Sequence, residues 1–421
     1  MTDGLEERVR ANPDDVEAWV ILGDQLQEAG DQLGELIALA HQREARMERQ
    51  AELRGQVLEP LARFVDGESL KIEWRHGVPH RACLTGTGAP LDLLGALPAA
   101  RFIRELELND LGGEVAQKLD EGFFDSLARL DFEAFDDVDD SPQKLGAEGA
   151  RELAGCRRLA QLESLKLGGQ LIGDKGVVAI ARADLSRLRA LSLINNDVRE
   201  RGIEALANCE RLAGLRELNL HYNSFGDVGI AHLAESRHLT QMTSLTLGMN
   251  GIRDSVTSLI RSPNLAFVEA LVFGLDDVGN ATLEALASSP HARKLSSLTM
   301  HGCGIDDAGL QHLASSALLL QLRELGLQSN KIGDAGVVTL TRSLRARDEH
   351  VQLRELNLEL NPIGDDGMVA LAECPHLQHL GQLWLWGDAK HTRGIDALLG
   401  SKYLSKEVKK SLAWQFGRGP H

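Results

Sequence analysis

Residues 322–340 read Leu-Arg-Glu-Leu-Gly-Leu-Gln-Ser-Asn-Lys-Ile-Gly-Asp-Ala-Gly-Val-Val-Thr-Leu. Similar segments return about every 26–27 residues along this chain of 421, so internal repeats dominate the sequence. Side chains alternate between the two faces of a strand, so Leu325 and Leu327 would share the inner face of a short strand. About eleven such segments occupy most of residues 100–400. They begin at Ile103, Leu127, Leu162, Leu188, Leu215, Met242, Val268, Leu295, Leu322, Leu353 and Leu380.

A polar residue follows the last leucine of most segments by three positions. These residues are Asn196, Asn223, Asn250, Asn330 and Asn361, with Gln170, Asp276 and Cys303 as variants. A side chain turned inward at this point can bond backbone groups that would otherwise be unpaired in the interior. The pattern therefore predicts an internal ladder of asparagine side chains.

The second half of each segment has the features of a helix. In the quoted copy Asp334 is a good N-cap or first-turn residue, Gly336 follows two residues later, and Leu340 supplies a buried aliphatic group. A glycine inside a helix costs about 1 kcal/mol relative to alanine. Its recurrence in most copies indicates close backbone packing between neighbouring coils.

Together these residues resemble the ribonuclease-inhibitor class of leucine-rich repeats, with its Leu-x-x-Leu-x-Leu-x-x-Asn-x-Ile-Gly-Asp-x-Gly-x-x-x-Leu-Ala consensus. The resemblance covers about three quarters of the chain. It implies an α/β solenoid, or horseshoe, over residues 101–400, with parallel strands on the concave face and helices outside. The sequence departs from the consensus in its shorter repeats and in insertions at residues 135–142 and 345–350.

Residues 1–100 follow a different pattern. We predict a first helix from Leu5, a second helix capped by Asp15, and a third from Leu33 that continues through the charged residues 42–54. Alternating residues over 70–84 predict a β-hairpin that turns at His76-Gly77.

This N-terminal stretch resembles the repeat-companion domain that precedes leucine-rich arrays in many bacterial proteins. The residues that carry the resemblance are Asn12-Pro-Asp-Asp15, Gly23-Asp-Gln-Leu26, Glu28-Ala-Gly-Asp31, Gly34-Glu-Leu-Ile37 and Trp74-Arg-His-Gly77. The resemblance implies a companion or capping domain over residues 1–100. Residues 401–421 are expected to form a C-terminal capping helix and tail.

An alternative for the N-terminal stretch is one tetratricopeptide-like repeat. Trp19, Leu22, Gly23 and Leu26 fit the first helix of that motif, but Glu35 stands where a small alanine is expected. A lone copy could not bury its own apolar face. A cap that shields the first strand edge of the array is therefore the preferred interpretation.

Composition limits the function classes. With 45 basic and 62 acidic residues the net charge is −17, which disfavours nucleic acid and anionic membranes as partners. The sequence has no run of eighteen apolar residues and no secretory signal. Its five cysteines are widely spread and form no Cys-x-x-Cys pair, which is typical of a reducing compartment. We expect a cytoplasmic protein, monomeric, with neither nucleic acid nor membrane as partner.

Motifs for catalysis or for metal binding are absent from the sequence. It contains no Gly-x-Ser-x-Gly, P-loop, His-Glu-x-x-His or EF-hand segment. The acidic run at residues 136–140 lacks the glycine and the spaced ligands of a calcium loop, which favours a solvated loop. We therefore predict no enzymatic activity, no cofactor and no metal.

Function must then depend on surfaces. Residues between and just after the strand leucines are expected to face the concave side, where exposed apolar and aromatic groups are candidate anchors. The predicted partner-binding residues are Ile194, His221, Tyr222, Met249, Leu275, His301, Leu360, Trp384 and Trp386. Ordinary scatter of exposed apolar residues is the alternative for the central ones. Burial beneath a tail helix over residues 403–416 is the alternative for the two tryptophans.

These observations predict a non-enzymatic scaffold that holds a protein or peptide in the concave face of the array. Two other functions stay open at this point. One is an adaptor of an enzyme system, such as a ubiquitin-ligase-like effector, and the other is a regulator of a GTPase or a nuclease. Fold alone does not distinguish among these functions.

Overall fold

A computed structural model describes residues 2–42, 47–67, 69–86, 90–109, 115–132, 144–347, 351–386 and 391–418. Backbone contacts divide the chain into two units, Met1–Asn196 and Asp197–His421. The predicted insertion at residues 135–142 and the acidic run at 136–140 lie outside the described residues, as do residues 348–350 of the smaller insertion. The domain boundaries at residues 100 and 400 stay predictions.

The first unit begins with helices packed around a small apolar core. They are α1 (Thr2–Ala11), α2 (Val16–Glu28), α3 (Gln32–Ala40), α4 (Met47–Val57) and α5 (Ala62–Asp66). Asp15 caps α2, as predicted, because its carboxylate accepts a hydrogen bond of 3.0 Å from the Ala18 amide. Trp19, Leu22 and Leu36 are buried between these helices.

The third helix is shorter than we predicted. It ends at Ala40 and a separate helix begins at Met47, so the charged stretch does not continue α3. At this break His41 leaves the helix, and its ring stacks on that of His76 with centroids 5.0 Å apart. The end of α3 thus coincides with a tertiary contact that the local sequence pattern does not reveal.

The predicted hairpin is present, with strands β1 (Leu70–Arg75) and β2 (Val78–Thr85) paired antiparallel. His76 and Gly77 at the turn have φ values of +52° and +80°, as a two-residue hairpin turn requires. Glycine is also needed for space, because a Cβ at position 77 would lie 2.3 Å from the Leu36 carbonyl oxygen. Strand β2 continues into the repeats by pairing in parallel with β3 (Glu105–Asn109).

The remainder of the first unit consists of strands alternating with helices. The strands after β3 are β4 (Arg129–Asp131), β5 (Ser164–Lys166) and β6 (Ala190–Ser192), and the helices are α6 (Leu91–Ala96), α7 (Val115–Glu121), α8 (Gly146–Ala154) and α9 (Gly173–Ile180). Strands β3 to β6 pair in parallel and in register. The register aligns one buried leucine per strand, at Leu106, Leu130, Leu165 and Leu191.

The second unit repeats this arrangement more regularly. Its strands are β7 (Glu217–Asn219), β8 (Ser244–Thr246), β9 (Ala270–Gly274), β10 (Ser297–His301), β11 (Glu324–Gly326), β12 (Glu355–Asn357) and β13 (Gln382–Trp384). Its helices are α10 (Glu200–Ala207), α11 (Gly226–Glu235), α12 (Val256–Arg261), α13 (Gly279–Ser288), α14 (Asp307–Ser315), α15 (Leu318–Gln321), α16 (Asp334–Arg345), α17 (Asp365–Ala372), α18 (Thr392–Gly400) and α19 (Lys406–Gln415).

Each strand of the second unit pairs in parallel with the next one in the chain. The aligned leucines, from Leu218 on β7 to Leu383 on β13, are buried against the helices. The predicted α/β solenoid with a parallel sheet is thereby confirmed. No helix in the described part of the chain combines the length and the apolar character needed to cross a bilayer.

The recurrent aspartates connect one coil to the next. Asp334 lies in the first turn of α16, but its carboxylate accepts hydrogen bonds from the amides of Gly364 and Gly367 in the following coil, at 2.6 and 2.9 Å. Asp307 binds the Gly333 amide of its following coil in the same way, at 2.7 Å. The recurrent glycine makes room for this link, since a Cβ at Gly336 would lie 2.5 Å from the Asp307 carboxylate.

Candidate binding surface

The asparagines after the strands form the predicted ladder. In the second unit this row, here called the inner turn position, is Asn223, Asn250, Asp276, Cys303, Asn330 and Asn361. The Oδ1 atom of Asn330 accepts from the amides of Cys303 and Ile305, both at 3.0 Å. Its Nδ2 donates to the carbonyls of Met300 and Leu327, at 2.7 and 3.0 Å. Each asparagine of the row bonds its own turn and the turn of the previous coil in this way.

The residue just before each inner position has left-handed backbone geometry. This row, here called the outer turn position, is Tyr222, Met249, Leu275, Gly302, Ser329 and Leu360, with φ between +55° and +61°. Residues other than glycine, asparagine and aspartate visit this region at a cost of about 1–2 kcal/mol. Four bulky apolar side chains nevertheless occupy it. Tyr222, Leu275 and Leu360 are 49%, 53% and 65% exposed, and Met249 is half-buried.

Two glycines lie one residue before the outer turn position, between two histidines. Across strands β7 to β10 this row reads His221, Gly248, Gly274 and His301. The His221 ring lies close to Gly248. A Cβ atom at position 248 would be only 2.8 Å from the imidazole Nδ1. We call Gly248 and Gly274 the glycine floor. Met249 and Leu275 of the outer row follow these two glycines directly in sequence, and Tyr222 follows His221.

Several polar atoms around the glycine floor are not satisfied. The Nδ1 atoms of His221 and His301 and the Oε1 of Gln328 are buried and have no hydrogen-bond partner among the described residues. Buried polar atoms normally find a partner, but these atoms have no exposed surface, so a bound molecule would reach them only after the side chains move. The surface thus combines exposed apolar groups with polar atoms that are buried beneath it.

The predicted binding residues do not form one continuous group. His221, Tyr222, Met249, Leu275 and His301 belong to the neighbouring coils of β7 to β10, and the rings of His221 and Tyr222 have centroids 6.4 Å apart. Strand β11 follows, and its coil contributes the small or polar residues Gly326, Gln328 and Ser329.

The remaining predicted residues lie elsewhere. Leu360 and the two tryptophans belong to the last two coils of the second unit. Trp386 is 55% exposed and Trp384 is half-buried, so the tail helix α19 leaves at least Trp386 open. Ile194 is half-buried in the first unit, where its carbonyl accepts a hydrogen bond from Gly169.

Sequence reasoning missed the glycine floor, because the concave face is predicted from its side chains and glycine has none. The signal was present, because Gly248 and Gly274 occupy the same repeat position in two consecutive copies.

The corresponding surface of the first unit has a different character. Its acidic residues Glu107 and Asp131 pair with bases on neighbouring strands. Arg81 binds Glu107 at 2.6 Å and Lys166 binds Asp131 at 2.9 Å. This surface satisfies its own charges, which leaves fewer groups for a partner.

Reactive thiols and metal ligands do not contribute to the site. All five cysteines are free, and four of them are buried. Burial raises the thiol pKa of Cys156 and of Cys303 to about 12. The described residues include no group of three or more histidine, cysteine, aspartate or glutamate side chains placed to hold a metal ion.

Residues 215–234, 321–340 and 352–372 match the Leucine Rich repeat family model. No curated protein matches the chain in sequence. Among solved structures, an internalin (inlF) from Listeria monocytogenes aligns over 83% of this chain and 90% of its own, with 18% identity and a TM-score of 0.47. The complex of Rad7 and Elc1 from yeast aligns over 78% of each chain, with the same identity and TM-score. The chain contains leucine-rich repeats, arranged as a parallel sheet backed by helices.

Proposed function

We propose that this protein is a non-enzymatic scaffold that binds a protein or peptide through the second unit, at the coils of β7 to β10. The observation that supports this is the run of Tyr222, Met249 and Leu275. They are bulky side chains held in left-handed backbone geometry on three consecutive coils. The same geometry recurs in other coils, including those of Leu171 and Leu360, so the feature that distinguishes this segment is the presence of bulky apolar residues on three consecutive coils.

Chance scatter of exposed apolar residues explains the run less well. A randomly exposed leucine carries no backbone penalty, whereas the outer turn position favours glycine or asparagine. Gly302 in the second unit and Asn195 in the first show that such residues serve at this turn. The apolar side chains add contact area that the fold does not require.

The chemistry of the site suits a peptide segment. Gly248 and Gly274 are buried, and the His221 imidazole covers Gly248, so a partner would contact the histidine rings rather than the glycine backbone. His221 and His301 are half-buried, so each contributes part of a polar ring to this surface. The apolar outer row can cover side chains of the partner, with the energy concentrated in a few anchors.

The test is a comparison of two faces of the same coils. A partner recovered by pull-down from the native host is purified, and its affinity is measured by calorimetry. Tyr222→Ala and Met249→Ala should each weaken binding by about 1–2 kcal/mol and leave the melting temperature nearly unchanged. The matched control is Val228→Ala, an exposed apolar residue on α11, which should bind normally. Normal binding by both face variants, with loss in the Val228 variant, would refute the proposal.

The finer assignments belong to the same proposal. We propose that the repeats are of the ribonuclease-inhibitor-like type, that residues 1–100 are a bacterial repeat-companion cap, and that the protein is cytoplasmic and monomeric. An adaptor or regulator of an enzyme system would use the same surface. The identity of the recovered partner separates that function from simple scaffolding.

A further inference from the structure

A second candidate site lies in the first unit, far in sequence from the proposed peptide surface. It is a cleft of about 200 Å³ between the α1–α2 loop, the end of β1, strand β2 and the beginnings of β3 and β4. Its charged lining consists of Arg75, His80, Arg104, Arg129, Asp14 and Glu105. Three separate segments of the chain bring three guanidinium groups to one place, and a fourth segment adds Asp14.

Arginines concentrate in this cleft, although the whole chain carries −17. Three guanidiniums lie beside Asp14 and Glu105, and Arg104 also pairs with Glu163 at 3.7 Å. The pKa of His80 reflects this environment. Burial lowers it most, and the charges of Arg75, Arg104 and Arg129 lower it further, against the opposing effect of Glu105.

One arginine is fixed and two are available. Arg104 is largely buried, and its guanidinium donates to the Arg10 carbonyl at 2.6 Å. Arg75 pairs with Asp14, and both side chains are exposed to solvent. Arg129 is exposed and pairs with Glu105 at 2.8 Å. Exposed ion pairs of this kind contribute little energy, so an anion can displace them.

We propose that this cleft binds a phosphoryl group. A ligand must compete with Asp14 and Glu105 for the guanidiniums. A carboxylate would exchange one monoanion for another of the same geometry and gain little. A phosphoryl group carries more charge and three acceptor oxygens, and it matches the fork of donors on each arginine. The volume admits the group together with part of the molecule that carries it.

The experiment titrates the full chain with inorganic phosphate by calorimetry at pH 7.5, with acetate as the comparison anion. Phosphate should bind at one site and acetate should not compete. Arg75→Gln/Arg129→Gln should weaken phosphate binding at least tenfold. The matched control is Arg151→Gln/Arg393→Gln, which removes two exposed arginines that each pair with one exposed carboxylate outside the cleft. It should bind phosphate like the unchanged protein.

A variant that binds phosphate more tightly distinguishes a specific effect on the cleft from misfolding. Asp14→Asn removes one competing carboxylate and should tighten phosphate binding severalfold, which a damaged fold could not do. Absence of phosphate binding, equal loss in the cleft and control variants, or equal binding of acetate would overturn the proposal.

The source of the phosphoryl group is distinguished with a phosphoserine peptide and its unphosphorylated form. If the phosphopeptide binds at least tenfold more tightly than inorganic phosphate and the unmodified peptide does not bind, the group is carried by a protein side chain. Equal affinities for phosphopeptide and phosphate indicate a small phosphate compound.

Discussion

The inner and outer turn positions of the second unit are neighbours in sequence, but they tolerate different residues. The inner position is asparagine in four of its six copies, and its side chain lies in the interior. The outer position ranges from Gly302 to Tyr222, and most of its side chains reach solvent. The fold therefore restricts the residue type at the inner position, whereas it permits many residue types at the outer position one residue earlier.

The two positions differ because the fold requires side-chain hydrogen bonds at the inner one and only a backbone conformation at the outer one. At the inner position it needs an amide that accepts and donates at once, which asparagine supplies and few other side chains can. At the outer position it needs only a positive φ. Recognition can therefore change at the outer position without disturbing the ladder, at the cost of backbone strain.

The largest expected effect is the loss of a ladder residue. Asn330→Ala leaves two amides and three carbonyls without their side-chain partner, and we expect a loss of about 3 kcal/mol in the free energy of unfolding. Urea denaturation measures it. Gln328→Ala is the control, because that side chain has a buried oxygen without a partner, and it should change stability by less than about 0.5 kcal/mol. An unchanged midpoint for Asn330→Ala would show that the ladder is not needed for stability.

A smaller change, in this case a gain in the free energy of unfolding, is expected when Asp276, the aspartate of the ladder, is replaced by asparagine. Its Oδ1 accepts from the amides of Asn250 and Ile252, but its Oδ2 is buried without a partner. Asparagine would place a donor there, as Asn250 does toward the Leu247 carbonyl. Asp276→Asn should therefore stabilise the protein at pH 7 by about 1–2 kcal/mol.

This gain should depend on pH. Burial raises the pKa of Asp276 above its ordinary value of 3.8, against the effect of the backbone hydrogen bonds. The native state then holds the proton more tightly than the unfolded state, so stability from this group falls as pH rises through the raised pKa. The advantage of Asp276→Asn should shrink as pH is lowered toward 4. Asp277→Asn, at an exposed neighbour, is the control, and an equal gain from it would exclude the ladder as the cause.

The smallest change in the free energy of unfolding is expected for a substitution at the outer turn position. Leu360→Asn keeps the left-handed backbone but replaces leucine with a residue that tolerates it, so we expect a gain of about 0.5–1 kcal/mol. Leu360→Ala removes the side chain and keeps the strain, so it should give no gain. Thermal unfolding of both variants measures the difference. If the two variants behaved alike, strain at this turn would not limit stability.

The sequence predicts the features that depend on local rules. Alternation of Leu325 and Leu327 indicates a strand, and an asparagine three residues later indicates an inward side chain. Both rules apply within one coil, so they can be recognised without knowledge of the neighbouring coils.

The left-handed turn could not be predicted in this way. Tyrosine, methionine and leucine avoid that geometry, so their presence argues against it locally. It is imposed by bonds to the next coil, since the Tyr222 amide donates to the Gly248 carbonyl at 2.9 Å and the Asn223 amide to the Asn250 side chain at 3.1 Å. The arginine cleft was missed for a similar reason, because its residues come from four distant segments.

The C-terminal helix α19 contributes Gln415, whose buried side chain accepts from the Leu385 amide at 3.0 Å and donates to the Leu383 carbonyl at 2.9 Å. These are the bonds that a following strand would make through its backbone, as the Leu358 amide does with the Trp384 carbonyl. Because each strand offers the same groups, α19 can in principle follow any of them. Whole repeats can then be deleted or duplicated ahead of it while these two groups of the last strand stay bonded. The helix thus makes the number of coils a quantity that evolution, or an engineer, can adjust in steps of one.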